Sequence, residues 1–443
     1  MTSLTDLAGP WLLLRRHRDL RLLLGAGLVS MCGDWLLSVG LTYSVYAVTG
    51  STLASAMTML AAFLPQVLVG TVAGVFVDRW DRRRTMIVTN LLLAAGLAPL
   101  VLADTTAHIW VVYVVLVWQS VVEVFFAPAE QALLPRLVED DGLVTANALN
   151  GQVRQLSRLV GAALGGIAAA AGGITAVALL DALSFVLATL LLTRIREGSR
   201  PADQPRDRPS DQPSGQPSGQ PSDPGALVVG RLAQLRLEWL DGLRTAWASP
   251  VVRVLLVFSL VTCTGEGVMG ALFAPYVRSV LHGGPQLLGA LSSVQAIGGL
   301  AGGVVVATVG SGWSPVRMLG VGAVLFGLVD LAIFVYPLVV VSPWPAIAGM
   351  VLVGTPGAAL TAGMMTLYQR STVDERRGRV LGLAFFAQSL AMVVGTTGAG
   401  FLGAVVGIVP VLAFQGVGYV VAGVLVLTTL RSDVACPSPM VGV

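Results

Sequence analysis

The feature that most constrains this chain is a series of apolar stretches recurring from one end to the other, each long enough to cross a bilayer and each nearly free of charge. Twelve can be placed, at residues 20–48, 51–77, 85–103, 109–130, 146–171, 174–193, 251–277, 286–310, 315–336, 344–369, 379–407 and 409–430. A helix of about 20 apolar residues covers the roughly 30 Å of hydrocarbon in a bilayer. Hydrocarbon offers peptide groups no water, so such stretches must close their hydrogen bonds within themselves, as helices do. Composition agrees: 55% of the 443 residues are hydrophobic, 12% are charged, and the mean hydropathy is +0.80, more apolar than a soluble domain sustains. The expected fold is an all-α integral membrane protein.

Orientation follows from arginine, because all 27 basic residues are Arg and none is Lys. Arg15, Arg16, Arg18 and Arg21 lie before or at the very start of the first stretch, Arg79, Arg82, Arg83 and Arg84 follow the second, and further clusters follow the sixth and tenth, whereas the alternate loops hold only Arg278. The positive-inside rule then puts both termini and the charged loops in the cytoplasm. The pI near 9.0 is accounted for by topology and calls for no nucleic-acid partner. A P-loop needs its phosphate-binding lysine, so this chain is not expected to drive anything with its own ATPase. The first apolar stretch is too long for a signal peptide and continues as a span. Cys32, Cys263 and Cys436 cannot make a disulfide framework, and His17, His108 and His282 have no ligand-spaced companions, so neither a metal nor a cofactor is expected. No His, Cys or Ser constellation with catalytic spacing occurs, which argues against an enzyme.

One region reads as soluble. Residues 198–230 carry a Pro, Gln, Ser and Gly tract with a QPSG repeat, expected to be a disordered cytoplasmic linker. Residues 231–248 follow, with Leu232, Leu235, Leu240, Leu243 and Trp247 at helical spacing among Arg231, Arg236, Asp241 and Arg244, the pattern of an interfacial amphipathic helix. The linker divides the chain into residues 1–197 and 249–443, each with six spans. The halves echo one another: Gly33-Asp34 lies about as deep in the first span as Gly265-Glu266 in the seventh, and LLPRLVEDDGLVTANAL after the fourth resembles LYQRSTVDERRGRVLGL after the tenth. Two such six-helix bundles, related by pseudo-symmetry, can rock against each other around a midplane site.

The segment GVFVDRWDRRR, residues 74–84, packs six charges into the seven residues from Asp78 to Arg84 directly after an uncharged run. Its arginines suit membrane anchoring, but the aspartates need another explanation: a carboxylate there can cap a neighbouring helix or pair with Arg in one conformation only. The segment resembles the signature loop of the major facilitator superfamily, with Gly74, Asp78, Arg79, Arg82 and Arg83 on its defining positions. Asp81 replaces the usual glycine, which implies a less tight loop. LPRLV at 134–138, Ala146-Asn147-Ala148 and RLVGAALGG in the fifth span extend the likeness over nearly the whole chain. The combination is similar to the macrolide-efflux and multidrug proton-antiporter branch of bacterial exporters. Gly161, Gly165 and Gly166 match that branch's antiporter motif, with Ala162 where proline is usual, and would serve close helix packing in any case. The resemblance implies twelve helices in two bundles, a bacterial cytoplasmic membrane location, a cytoplasmic gate at the signature loop and a monomer working without a cofactor.

Carboxylates inside the spans point to the remaining chemistry. An ionised Asp at a helix centre costs about 2.5–3.5 kcal/mol on insertion scales, so it should face the interior, pair or carry a proton. Asp34 and Glu266 are the candidates for proton coupling or contact with a cationic substrate, and Glu123 for lining the cavity from span four. Asp181 and Asp330 fall in spans six and nine, which the resemblance makes peripheral, so packing or capping is expected of them. Arg154 and Arg158 would either relay charge to Glu123 or Asp34 or snorkel to the surface. One charge crossing about 100 mV gains about 2.3 kcal/mol, so a proton gradient is the available energy source. The expected function is proton-driven export of small amphipathic compounds. An importer or a lipid or siderophore transporter of the same fold, and a non-transporting receptor, are the alternatives.

Overall fold

Helices begin where the sequence supplies a starter. The computed structural model describes residues 12–77, 80–103, 106–139, 142–196, 249–371 and 374–430. Asp78, Arg79 and the stretches read as linker and amphipathic helix lie outside them. In the first half, α1 spans Arg18–Thr49, α2 Thr52–Val77, α3 Arg82–Gly96, α4 Ile109–Glu123, α5 Phe126–Leu133 and α6 Leu143–Thr193. In the second, α7 spans Pro250–Pro275, α8 Pro285–Val309, α9 Pro315–Val335, α10 Pro343–Leu352, α11 Gly354–Ser371, α12 Asp374–Val405 and α13 Ile408–Thr429. Four consecutive helices, α7 to α10, open on proline, whose fixed φ suits a first helical turn and whose missing N–H would be unpaired there anyway. Ser249 and Ser314 cap two of them by accepting from Val252 N and Arg317 N. Asp81 caps α3, its carboxylate accepting from Arg84 N at 2.7 Å, so the residue that departs from the signature glycine starts a helix.

Among the described residues the helices make twelve spans. Eleven of the segments are long and apolar enough to cross a membrane, and one of these, α6, has 51 residues, twice what a crossing needs. It breaks at Gly172 and Gly173, where Gly173 takes φ 58°, a left-handed conformation that favours glycine. Contacts with α1 show that the chain reverses at the break. A Cβ on Gly161 would meet Cys32 and one on Gly165 would meet Leu36, a parallel register, whereas Gly33 faces Asp181 and Ser184 and Gly40 faces Val177, an antiparallel one. Spans four and ten are each interrupted: α4 gives way to α5 and α10 to α11 just before Pro128 and Pro356, which cannot donate to Val124 and Leu352.

The two halves repeat at the level of contacts. Gly33 packs against Asp181 and Ser184, three residues apart on the last span of its half; Gly265 packs against Gln415 and Tyr419, four apart on the last span of its own. Gly161 meets Cys32 beside the first pair, and Gly395 meets Thr264 beside the second. The apolar clusters show how the bundles sit together. Near the end where α1 begins, one cluster joins Leu20, Leu23, Met86, Phe126, Leu133 and Leu192 wholly within the first half, and another joins Leu255, Val316, Leu367, Leu383 and Val426 wholly within the second. Toward the opposite end, where α1 finishes at Thr49, a single cluster spans both halves through Val39, Tyr43, Ala56, Val268, Ala271 and Leu272. The apolar core is thus continuous between the bundles at the Thr49 end and divided between them at the Arg18 end.

Candidate functional site

The N-terminal half encloses a cavity of about 580 Å³ between α1, α2, α4 and α6, with Leu93 contributed by α3. Its apolar lining includes Met31, Trp35, Leu37, Leu41, Met59 and Phe63; its polar lining includes Asp34, Gln119, Glu123, Arg154 and Arg158. Pro65 interrupts the hydrogen bonding of α2, and the N–H of Gln66 donates instead to Ser120 Oγ at 3.1 Å, tying the α2 wall to the α4 wall. A second cavity of about 260 Å³ adjoins the first, sharing Met31, Asp34, Gln66, Leu93, Glu123 and Arg154 with it and adding Ser30, Asn90 and Glu130. Glu123, Arg154 and Gln155 are exposed, whereas Leu41 and Thr58 toward the Thr49 end are buried, so the larger cavity is reached from the Arg18 end.

The structure brings Asp34 and Glu123 onto facing walls of one cavity, with Asp34 within electrostatic reach of both Glu123 and Asp181. Arg154 forms an ion pair with Glu130 at 3.4 Å, and Glu130 Oε1 sits against Gly27 of α1, where a Cβ would approach within 3.3 Å. Glu130 closes the fourth apolar stretch and reads there as a boundary residue, yet its side chain is 1% exposed. Arg158 stacks over the Trp35 ring at 5.0 Å and donates from Nη2 to Gln295 Oε1 at 2.5 Å, a bond between the halves. Arg158 therefore points inward instead of snorkelling.

Glu266 lies in the other half, exposed, and accepts from Tyr419 Oη at 2.5 Å. Asp330 is buried behind it and accepts from Gln415 Nε2 at 3.2 Å. Asp181 is fully buried, accepts from Ser184 Oγ at 3.2 Å and packs on the Gly33 backbone. Within the signature loop, Arg83 donates from Nε to Leu192 O at 3.0 Å and from Nη2 to Thr193 O at 2.5 Å, capping the last turn of α6, and Arg82 precedes it on the same first turn of α3. Gly74 sits on the last turn of α2. Of the antiporter-like glycines, Gly161 and Gly165 seat α6 against α1 inside the half, and Gly166 faces the Pro285 backbone of α8 across the halves.

Sequence reasoning looked only for charge inside the spans and so passed over Asn90, Gln119 and Gln295; a carboxamide within an apolar stretch is the signal that would have found them. It likewise passed over the tyrosines of the Thr49 end. There Tyr43 Oη donates to Gly283 O at 3.0 Å, Tyr46 Oη and Ser279 Oγ share a hydrogen bond at 2.7 Å, and Thr52 Oγ1 donates to Gly400 O at 2.8 Å.

Comparisons with known proteins agree with this architecture. A family model described as a transmembrane secretion effector matches residues 8–211, and one described as the Major Facilitator Superfamily matches residues 255–439. An uncharacterised transporter, YfiS of Bacillus subtilis, is 30% identical over 182 residues, 41% of this chain and 43% of that protein. Macrolide efflux protein A of Streptococcus pyogenes is 28% identical over 170 residues, 38% of this chain and 42% of that protein. The chain thus matches less than half the length of these two relatives. The multidrug efflux pump Tap of Mycolicibacterium fortuitum is 27% identical over 395 residues, 86% of this chain and 88% of the pump. Among solved structures, a bacterial homologue of the iron transporter ferroportin superposes with a TM-score of 0.71 at 14% identity, over 94% of this chain and 99% of that one.

Proposed function

Since the chain belongs to the major facilitator superfamily of transporters, we propose that it exports small amphipathic compounds in exchange for protons. The observation that carries this reading is the one-sided cavity: an apolar chamber of about 580 Å³ with Asp34 and Glu123 on its walls, reached from the Arg18 end and closed at the other. With the arginine-rich loops in the cytoplasm, the Arg18 end faces the cytoplasm and the chamber loads from there. The efflux names carried by two of the relatives support the outward direction.

The residues divide the work. Trp35, Phe63, Met31 and Met59 take the apolar body of a substrate, while Asp34 and Glu123 take either a cationic group or protons. Loading a cation requires those carboxylates to be ionised, and a cation leaving to the far side lets protons replace it. That mutual exclusion is the coupling. Arg158 reaches across to Gln295 and lies within electrostatic reach of Glu266, so it carries information about the charge of one half to the other. For the halves to swap accessibility, the bonds at the Thr49 end must break and the Asp78-to-Arg83 segment must close the Arg18 end. A proton returning across about 100 mV supplies about 2.3 kcal/mol for this, and no cofactor is called for. One chain contains both halves of the path, consistent with a monomer.

The test is proton movement in everted membrane vesicles carrying the protein, on addition of macrolides, lipophilic cations and siderophores, with Asp34→Asn alongside. Substrate-dependent loss of luminal protons, absent in the variant, is the expected result. A folded protein that moves protons with none of the compounds would withdraw the export reading in favour of uptake or lipid transport.

A further inference from the structure

Two carboxamides on the inner wall of the N-terminal half are buried with nothing to bind. Asn90 on α3 is 0% exposed and Gln119 on α4 is 7% exposed. Neither the nitrogen nor the oxygen of either amide has a hydrogen-bond partner among the described residues. Buried polar groups are paired in nearly all folded proteins, and an amide with neither end paired calls for a water, an ion or a ligand to complete it. Gln119 belongs to the lining of the larger cavity and Asn90 to that of the smaller. The two spaces meet at Asp34 and Glu123, so a molecule whose apolar body lies against Trp35 and Phe63 can pass its polar end between the carboxylates toward Asn90.

The chemistry of that end follows from the groups that wait for it. A carboxamide offers two N–H donors and one accepting oxygen, a match for hydroxyl or amide groups. A quaternary ammonium or phosphonium offers neither a donor nor an acceptor and would leave both amides bare. A site built to hydrogen-bond its ligand discriminates strongly against analogues that lack the bonding groups, because its own buried polar atoms are then unpaired. We infer that Asn90 and Gln119 form a hydrogen-bonding subsite beside Asp34 and Glu123, and that the compounds carried best are amphiphiles in which a protonated amine sits next to hydroxyl or amide groups. The inference rests on the export reading only in taking this cavity as the place where substrate binds.

The test is calorimetric titration of the purified full-length protein in lipid nanodiscs, with empty nanodiscs as reference. The probes are two amphiphiles sharing one tail: N-octyl-D-glucamine, an amine beside hydroxyls, and octyltrimethylammonium, a cation without them. The wild type is expected to bind the glucamine at least ~10-fold more tightly. Asn90→Leu and Gln119→Leu should each weaken glucamine binding by about 10-fold and leave octyltrimethylammonium within about 2-fold, with Gln119→Asn intermediate for the glucamine alone. Thermal melting of each variant shows whether it is folded. Equal binding of the two probes by the wild type, or a parallel fall for both in the leucine variants, overturns the subsite and leaves the export reading standing. A wild type that binds neither probe and moves no protons in vesicles overturns both.

Discussion

Removing two hydroxyls at the Thr49 end should shift the conformational balance measurably toward opening there. Tyr43 Oη donates to Gly283 O at 3.0 Å and accepts from Arg278 Nη1 at 3.4 Å; Tyr46 Oη pairs with Ser279 Oγ at 2.7 Å. These bonds join α1 to the π-helical turn Tyr276–Val280 and the loop after it, where His282 holds φ 53°. Replacing both tyrosines by phenylalanine keeps the rings in place, including the one under Arg278 at 5.6 Å. The two neutral hydrogen bonds contribute about 1 kcal/mol net each and the longer one from Arg278 adds to them, so the double variant loses at least about 2 kcal/mol from the closed side, a roughly 30-fold or larger shift in the ratio of conformations. Spin labels at Leu102 and Val339, exposed at that end on opposite halves, report the separation by pulsed electron resonance once Cys32, Cys263 and Cys436 are replaced. The long-distance population should rise by about that factor, and each single variant should move it about 5-fold. A double variant whose distance distribution matches the parent would refute the latch and leave apolar packing as what holds this end shut.

Three further outcomes follow from the packing. Arg154→Ala strands Glu130, whose side chain is 1% exposed, and should cost about 3 kcal/mol of stability by thermal or denaturant melting; adding Glu130→Gln should restore most of it. Gly165→Val drives a side chain into the Leu36 backbone, which already lies 2.6 Å from an ideal Cβ, and should cost about 1–3 kcal/mol, whereas Gly303→Ala meets nothing within 4 Å and should melt with the parent. Gly173→Ala has open space around it too, but must hold φ 58° with ψ −147°, a region essentially confined to glycine, so a loss of about 1–3 kcal/mol would come from the backbone alone.

Much of this molecule is legible in its residues because the bilayer leaves the chain few choices. The spans, the break between the fifth and sixth at Gly172-Gly173 and the kinship of Gly33-Asp34 with Gly265-Glu266 all follow from local pattern, and each has its counterpart in the structure. What the sequence could not reveal is which helix faces turn toward each other. Arg154 has carboxylates at residues 34, 123 and 130 on neighbouring spans, and only the rotation of the helices makes Glu130 its partner. The bonds from Arg158 to Gln295 and from Tyr419 to Glu266 bridge helices far apart in the chain, so no spacing rule anticipates them. Asp81 shows the opposite case, in which a departure from a family pattern has a purely local cause: it caps the helix it begins.

The contacts between the halves are of two kinds, and the difference says where motion is easy. Along α6 and α8, Gly166 and Gly289 bring backbone to backbone: a Cβ on Gly166 would strike the Pro285 and Gln286 main chain, and one on Gly289 would strike Ala162 and Gly166. Along α2 and α12 the approach is to small side chains instead: a Cβ on Gly400 would strike the Ala56 methyl and one on Gly403 would touch the Thr52 side chain. At these small residues no long side chain interlocks, so one helix can roll on the other while its packing is kept, and the α6–α8 seam is tied where Arg158 bonds Gln295 and Ser293 Oγ donates to Leu159 O. Within each half, by contrast, the seams are pinned: Arg83 to the end of α6, Arg154 to Glu130, Tyr276 to Ile333 on α9, Gln415 to Asp330. Rigid halves turning on smooth glycine seams concentrate the conformational change at the few hydrogen bonds that cross between them. That is why a pair of tyrosine hydroxyls, a negligible fraction of the protein's contacts, can bias the whole equilibrium.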